Sequence, residues 1–323
     1  MEKRRLGNSS LQVSPLCFGG NIFGWTADES TSFKLLDGFI EAGFNFIDTA
    51  DSYSTWVPGH KGGESEEIIG KWMKERGNRE KVIVATKVGS EVGGRKGLSK
   101  AYILSEVEES LRRLQTDYID LYQSHRDDPG TPVEETLEAY SELVNQGKVR
   151  VIGASNFTAE RLEMSLHASR KHGYPRYESL QPNYNLYDRA DYELKLEPLC
   201  VKERLGVIPY FSLASGFLTG KYHTKADLEK SPRGKFVQKY LNERGLRIVA
   251  SLEHMAAEVG STPARVALAW LIARPSVTAP IASATTMQQL TELVEATRLK
   301  LDAGVISLLE EASAYEAQAE KIA

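Results

Sequence analysis

VIVATKV at residues 82–88, with FNFIDTA (44–50) before it and YIDLYQSH (118–125) after it, decides the architecture. VIVATKV opens on an apolar run without alternation, the pattern of a parallel strand covered on both faces. The three runs start at residues 44, 82 and 118, and segments of helical period fill the intervals. Strands that alternate with helices in this way lie parallel, each joined to the next by a crossover helix. Five further runs extend the series: LCFGG (16–20), VRVIGASN (149–156), SLQPNYNL (179–186), GVIPYFSL (206–213) and TAPIASA (278–284). Eight strands in a chain of 323 residues favour an α/β fold closed as a (β/α)8 TIM barrel over an open doubly wound sheet.

The intervening helices carry readable ends. In YILSEVEESLRRL (102–114), Ile103, Val107, Leu111 and Leu114 repeat along one face. TPVEETLEAYSELVNQG (131–147) predicts a helix with Thr131 as N-cap, Pro132 in its first position and Gly147 at its end. TPARVALAWLIARP (262–275) repeats that start and stops at Pro275. The longest interval, about residues 214–277, should hold an excursion plus two helices between strands seven and eight, with HTKADLEKSPRGKF (223–236) as a loop over the rim. RRLGNSSLQVSP, turning at Gly7-Asn8, reads as an N-terminal hairpin under the barrel. No linker divides residues 1–323, so a single domain is expected.

Composition excludes several classes. The net charge is −4, and no block of lysine or arginine points to nucleic acid or an anionic membrane. The apolar runs are strand-sized, and MEKRRLGNSS lacks a secretory apolar segment, so a cytoplasmic location is expected. Cys17 and Cys200 are too few for a disulfide framework, and His60, His167, His172, His223 and His254 show no ligand spacing, so no metal is expected. No pattern fixes an oligomeric state.

Asp48, Tyr53, Lys87 and His125 fall at or just past the ends of three successive strands. In a barrel that is the rim where chemistry is done. A tyrosine hydroxyl, with a reference pKa near 10, can give a proton to a developing alkoxide if a cation tunes it. Lys87 can supply that charge, Asp48 can fix the lysine, and His125 can polarise or orient a carbonyl. Taken singly, Asp48 could cap a turn, Lys87 could snorkel, Tyr53 could be a surface aromatic and His125 a core histidine. Their joint placement on one rim favours the catalytic reading.

GFNFIDTADSY (43–53) with GGESEEIIG (62–70), Lys87 after VIVAT, His125 in LYQSHRDD, GASNF (153–157), QPNYN (181–185) and GFLTGKY (216–222) together resemble the aldo-keto reductase superfamily, in its bacterial branch similar to potassium-channel β subunits. The likeness runs from about residue 4 to about residue 300. It implies reduction of an aldehyde or ketone by NAD(P)H, with Tyr53 as proton donor, Lys87 and Asp48 as its tuning pair and His125 as the orienting group. It further implies that Ser155, Asn156 and Gln181 hold the nicotinamide carboxamide beside Asp48, and that Tyr210 stacks on the ring. Leu213, Ser215, Gly216, Thr219 and Lys221 would line the pyrophosphate, and Gly19, Gly20 and Asn21 the adjoining ribose; the glycines could equally be simple turn residues. No GxGxxG opens a helix after a strand, and Gly216–Lys221 is one residue short of a P-loop.

Members of the superfamily usually place a cation after strand eight to grip the 2′-phosphate of NADP. Here Ser283 and Gln289 occupy those positions, with Thr285 beside them, and Leu293 stands where an asparagine often meets adenine. The resemblance implies NADP(H) as the preferred cofactor and NAD(H) as possible, but these neutral residues imply a smaller margin than in relatives with a cation there, part of which Lys221 or Arg233 could restore from another direction. Phe23, Trp25, Trp56 and Arg126 are the aromatic and cationic residues expected nearest the pocket of a small carbonyl substrate. Two other readings compete: a dinucleotide-binding regulatory subunit with little turnover, and a barrel aldolase with Lys87 as Schiff-base lysine.

Overall fold

The structure, a computed structural model, describes residues 2–230 and 234–315. Strands β1 (Arg4–Arg5) and β2 (Gln12–Val13) form an antiparallel hairpin. Eight parallel strands follow: β3 (Cys17–Gly19), β4 (Phe46–Asp48), β5 (Ile83–Val88), β6 (Ile119–Ser124), β7 (Val149–Ser155), β8 (Tyr177–Gln181), β9 (Gly206–Val207) and β10 (Ile281–Ala282). Their order is sequential, with β10 returning beside β3. Thr278 N–H donates to the Val207 carbonyl at 2.8 Å and Ile281 N–H to that of Pro209 at 2.9 Å, which joins the two remaining edges. The TIM barrel expected from the strand series is present.

Helices α1 (Glu29–Glu41), α2 (Glu64–Arg76), α3 (Lys100–Leu114), α4 (Val133–Asn145) and α5 (Ala159–His172) each connect one strand to the next. Short α6 (Glu197–Glu203) leads into β9. The long excursion holds α7 (Gly234–Val237), α8 (Glu243–Glu258) and α9 (Pro263–Ala273), and α10 (Met287–Ala296) and α11 (Ala303–Ala312) follow β10. The expected pair of helices is thus α8 and α9. The segment from residue 223 is built otherwise than expected: its described part is a 3-10 turn over Lys225–Lys230, followed by α7. Asp227 organises its start by accepting from His223 N–H and Thr224 N–H.

Helix ends follow local chemistry. Thr262 caps α9 by accepting from Arg265 N–H, with Pro263 in the first turn. Thr131, expected to cap α4, does not. The helix begins one residue later behind Pro132, and the Thr131 hydroxyl donates to Asp128 at 2.6 Å. Several strands are also shorter than their apolar runs. β8 starts at Tyr177 and stops at Gln181, because Pro182 has no N–H for a ladder. β9 and β10 keep two residues each.

Two cores result. The outer one lies between sheet and helices; the inner one fills the barrel with Cys17, Phe46, Ile83, Ala85, Leu121, Val151 and Ile208. The hairpin adds Leu6, Leu11 and Val13 to the inner core and so plugs the barrel's lower end. Gly7 makes the turn with φ +58°, and a Cβ there would lie 2.2 Å from the Glu178 carbonyl oxygen. Arg4 ties the hairpin to the carbonyls of Ile272, Val277 and Thr278 at 3.0–3.2 Å.

The period of two along each strand now places the polar residues. Phe46, Ala85 and Leu121 point inward, so Asp48, Lys87 and Gln123, two residues further on, do the same at the opposite end. Thr86 faces outward and bonds Glu66 of α2, which Arg113 of α3 also holds at 2.6 Å. That outward clamp fixes the strand on which Lys87 faces inward. Among the described residues no helix is long and apolar enough to cross a membrane.

Candidate active site

Lys87 is fully buried, and each hydrogen of its ammonium has an acceptor. Nζ lies 2.7 Å from Asp48 Oδ2, 2.7 Å from the Thr49 carbonyl oxygen and 2.8 Å from Tyr53 OH. The Tyr53 hydroxyl donates to Asp48 Oδ2 at 3.1 Å. On its other oxygen, Asp48 accepts from Gln181 Nε2 at 2.9 Å and from Gln123 Nε2 at 3.4 Å. A buried carboxylate is tolerable only with such a partner set. A lysine so fully engaged has no lone pair to offer a carbonyl, and the arrangement speaks against a Schiff-base role.

Burial, reinforced by Asp48, pushes the Tyr53 phenol well above its ordinary value. The phenol therefore keeps its proton at neutral pH. His125 moves the other way, held well below the usual imidazole range by burial and by the charges of Lys87 and Arg126. It is therefore neutral at neutral pH. Its ring stands edge-on to Tyr53 at 6.0 Å, and Nδ1 lies 3.3 Å from Ser52 Oγ.

A second polar chain runs along the rim. Tyr210 OH donates to Asn156 Oδ1 at 2.8 Å, and Asn156 Nδ2 donates to the His125 carbonyl at 2.9 Å. Ser155 Oγ donates to the Gln181 carbonyl at 2.9 Å. Asn156 has φ +55°, so its amide is held in place by a backbone conformation most side chains avoid. The segment after β9 bends through left-handed φ values at Phe211, Ala214, Ser215, Gly216 and Gly220. Such runs orient backbone N–H groups into anion-holding concavities. A Cβ built on Gly216 would lie 3.6 Å from Lys221 Nζ, so the ammonium rests against that bend, while Thr219 Oγ1 closes it onto the Gly216 carbonyl at 2.8 Å.

Across the barrel seam, Ser283 Oγ sits 2.7 Å from the Gly19 carbonyl oxygen and 2.9 Å from Asn21 Oδ1. A Cβ on Gly19 would meet Ser283 Oγ at 2.6 Å, and one on Gly20 the Asp48 carbonyl oxygen at 2.9 Å, so packing alone requires both glycines. Gln289 Oε1 folds back to accept from Thr285 N–H at 2.8 Å, and Thr286 caps α10.

The profile of the Aldo/keto reductase family matches residues 15–314. The chain belongs to the aldo/keto reductase family. Similar proteins include the uncharacterized oxidoreductase YrpG of Bacillus subtilis (strain 168), 36% identical over 96% of this chain and 95% of the relative. The aldo-keto reductase YhdN of the same organism is 34% identical over 92% of this chain and 89% of its own length. A probable voltage-gated potassium channel subunit beta of Oryza sativa subsp. japonica is 33% identical over 92% of this chain and 91% of its own length. Family and relatives make the chain an oxidoreductase. Aldo-keto reductases act on small carbonyl compounds and generally use NAD(P)H.

Against this aldo-keto reductase frame, the four rim residues and Ser155, Asn156, Gln181 and Tyr210 come together. Leu213, Ser215, Gly216, Thr219 and Lys221 form the adjoining bend, and Gly19, Asn21 and Ser283 the seam. Phe23, expected near the pocket, is instead fully buried and stacked on Phe18 at 5.6 Å. Trp56 is 48% exposed and stands edge-on to Tyr53 at 6.1 Å and to half-buried Trp25 at 5.7 Å. Arg233 lies outside the described residues.

Gln123 and Ser52 were missed by the rim-centred reading. Gln123 lies on β6 two positions before His125, which follows directly after that strand, so the period of two pointed to it. Asp51 was also missed. It is fully buried, and neither carboxylate oxygen has a hydrogen-bond partner. Burial pushes its carboxyl well above the usual range, helped by Glu66 and Glu106 and opposed by Arg113.

Proposed function

We propose that this protein reduces the carbonyl of a small aldehyde or ketone to an alcohol, with Tyr53 as proton donor and NADPH as the preferred reductant over NADH. The observation that carries the reading is Lys87 Nζ held within 2.8 Å of both Asp48 and Tyr53 OH at the inner rim. The bound nicotinamide would supply the hydride. Hydride on carbon leaves charge on the carbonyl oxygen, and the protonated phenol of Tyr53 is the group able to neutralise it. As the phenol loses its proton, the ammonium 2.8 Å away stabilises the phenolate electrostatically. Asp48 fixes that ammonium, and Gln181 and Gln123 fix Asp48. Neutral His125 can hold the carbonyl oxygen by hydrogen bond without contributing a second cation.

The bend at Phe211–Lys221 has the chemistry of a pyrophosphate seat, with left-handed backbone and one ammonium. Ser155, Asn156 and Gln181 would hold the carboxamide, and the half-buried face of Tyr210 would cover the ring. Toward a 2′-phosphate, Ser283 and the Gln289 carbonyl are already engaged, so the donors that remain are the Gln289 amide hydrogens and the start of α10. A charge-assisted contact missing there lowers the NADPH preference by roughly ten- to a hundredfold compared with a cationic loop. One domain in the cytoplasm would carry the whole activity.

The test is absorbance loss at the reduced-nicotinamide band with each cofactor and a panel of aldehydes, alongside binding titrations at matched ionic strength. Absence of turnover with every aldehyde refutes the reading, and a strong NADH preference refutes the cofactor assignment. The relatives named as channel β subunits favour a second reading, a dinucleotide-binding regulatory subunit. Tight cofactor binding without turnover would select it.

A further inference from the structure

Arg244 stands in the first turn of α8, the end of a helix where a cation is least welcome. Its guanidinium is engaged elsewhere, in three directions. Nε donates to the Ala314 carbonyl at 3.0 Å and Nη2 to that of Ser313 at 2.7 Å, just past α11, where a cation suits the helix end. Nη1 crosses to the loop after β8 and donates to the Tyr187 carbonyl at 2.9 Å, with the guanidinium 4.6 Å from the centre of the Tyr187 ring. Asn242, the cap of α8, donates to the Tyr187 hydroxyl at 2.7 Å, so this tyrosine is held at both ends.

Tyr187 belongs to a turn built on Asn185. Fully buried Asn185 accepts on Oδ1 from Tyr187 N–H at 2.8 Å and Asp188 N–H at 2.9 Å, and its Nδ2 donates to the Phe211 carbonyl at 3.0 Å. Asp188 Oδ2 accepts from Tyr240 OH at 2.8 Å, and the Tyr240 ring stacks on Phe217 with centroids 5.5 Å apart. Phe211 and Phe217 are the start and the middle of the bend at Phe211–Lys221. Phe211, Ala214 and Ser215 have φ of +53°, +48° and +58° without being glycine, a conformation that persists only where surrounding contacts impose it. The Asn185 turn and Tyr240 supply such contacts, and Arg244 ties that turn to the end of α11.

We infer that Arg244 is a positioning residue for the dinucleotide: by bridging the end of α11 to the Asn185 turn, it keeps the bend in the shape that grips the pyrophosphate. The inference rests on the reading of that bend as the cofactor seat and adds what holds the seat firm. Arg244 acts through Tyr187, Asn185 and the Phe211 carbonyl rather than on the ligand itself. Without its planar fork the turn can shift and the bend can open, so bound dinucleotide leaves sooner while encounter is unchanged. Arg247, one turn further along α8, is the internal comparison. It donates to the Ala312 carbonyl at 3.1 Å, and no hydrogen bond or ion pair among the described residues takes it to the Asn185 turn.

The test follows binding and release of NADPH and NADH by nicotinamide fluorescence, without substrate, for wild type, Arg244→Met, Arg244→Lys and Arg247→Met, alongside urea unfolding of each. Arg244→Met should speed release of both dinucleotides by about tenfold, because both carry the pyrophosphate, and leave the association rate in place. Arg244→Lys keeps the charge but not the fork and should fall between. Arg247→Met should loosen α11 to a similar degree, with release within about twofold of wild type. Release from Arg244→Met that stays near wild type, or that rises equally in Arg247→Met, overturns the inference while the cofactor reading stands. Should Arg244→Met not fold, Arg244→Lys against Arg247→Met decides by the same comparison. If wild type binds neither dinucleotide, the cofactor reading and the inference fall together.

Discussion

Asp51→Asn should stabilise the protein at neutral and alkaline pH. Three acids, Asp51, Glu66 and Glu106, share the buried space between the barrel and α2–α3 with a single guanidinium. Arg113 commits its bonds to Glu66 at 2.6 Å and to Glu106 at 2.8 Å. Asp51 therefore receives no hydrogen bond and is pushed to hold its proton, by burial first and by the other two acids second. The sign follows from proton counting. A carboxyl whose folded pKa is raised binds more protons in the fold than in the unfolded chain, so stability is full below about pH 4 and falls as pH rises toward the folded value. The loss accumulates at no more than about 1.4 kcal/mol per pH unit. Asparagine removes the ionisation and retains the shape. Its unpartnered amide costs about 1–3 kcal/mol, but the neutral carboxyl has the same unmet donor, so most of that term cancels. The net expectation is a variant more stable than wild type at pH 8, with the difference closing toward pH 4. Urea unfolding of both proteins across that range reads it directly. A stability difference that does not change with pH, or a variant weaker at pH 8 than at pH 5 relative to wild type, refutes the reasoning.

Three further expectations concern the site. Tyr53→Phe should keep dinucleotide affinity within a few-fold and lower aldehyde reduction by about 10²–10⁴; wild-type turnover would remove Tyr53 from its role. Lys87→Met leaves Asp48 buried beside two glutamine amides and Tyr53, so stability should drop by about 3–5 kcal/mol along with activity. A variant that unfolds within about 1 kcal/mol of wild type would show that the pair matters less than its geometry suggests. Because His125 is held well below the ordinary imidazole range, kcat/KM should stay flat from about pH 6 to about pH 8, with no inflection near the reference value of about 6.5. An inflection there would place a titrating imidazole in the rate.

The barrel was legible because buried parallel strands leave apolar runs such as VIVAT, and their spacing leaves room for one helix each. Strand ends were less so. β9 and β10 keep two ladder residues each, because the chain near Pro209 closes the barrel through single hydrogen bonds rather than a continuous ladder. The cap of α4 was misplaced because Asp128, a residue with no helical pattern around it, collects Leu98 N–H, Gly130 N–H and the Thr131 hydroxyl. In the site, Asp48, Tyr53, Lys87 and His125 stood out by residue type at strand ends. Gln123 did not, since an amide on the inner strand face gains meaning only once Asp48 is seen beside it. Gln289 shows the converse limit: its position suggested a phosphate donor but not that its side-chain carbonyl accepts from Thr285 N–H, leaving only the amide hydrogens to donate.

The joining of β10 to β3 has a consequence for how the chain acquires its shape. Ser283 and Gly19 are 264 positions apart, and Arg4 reaches Thr278 across 274. During synthesis, the first barrel strand therefore waits with one side unpaired until β10 has left the ribosome. Contacts of such separation are slow to form. In the interval the growing sheet has two bare edges, β3 at one side and the newest strand at the other, each a template for pairing with another chain. Yield in a host should accordingly respond to temperature and to chaperone supply more than to changes on the outer helices. A message cut short before residue 277 would give an open, self-associating sheet, with the Arg4 guanidinium left without the carbonyls of Val277 and Thr278.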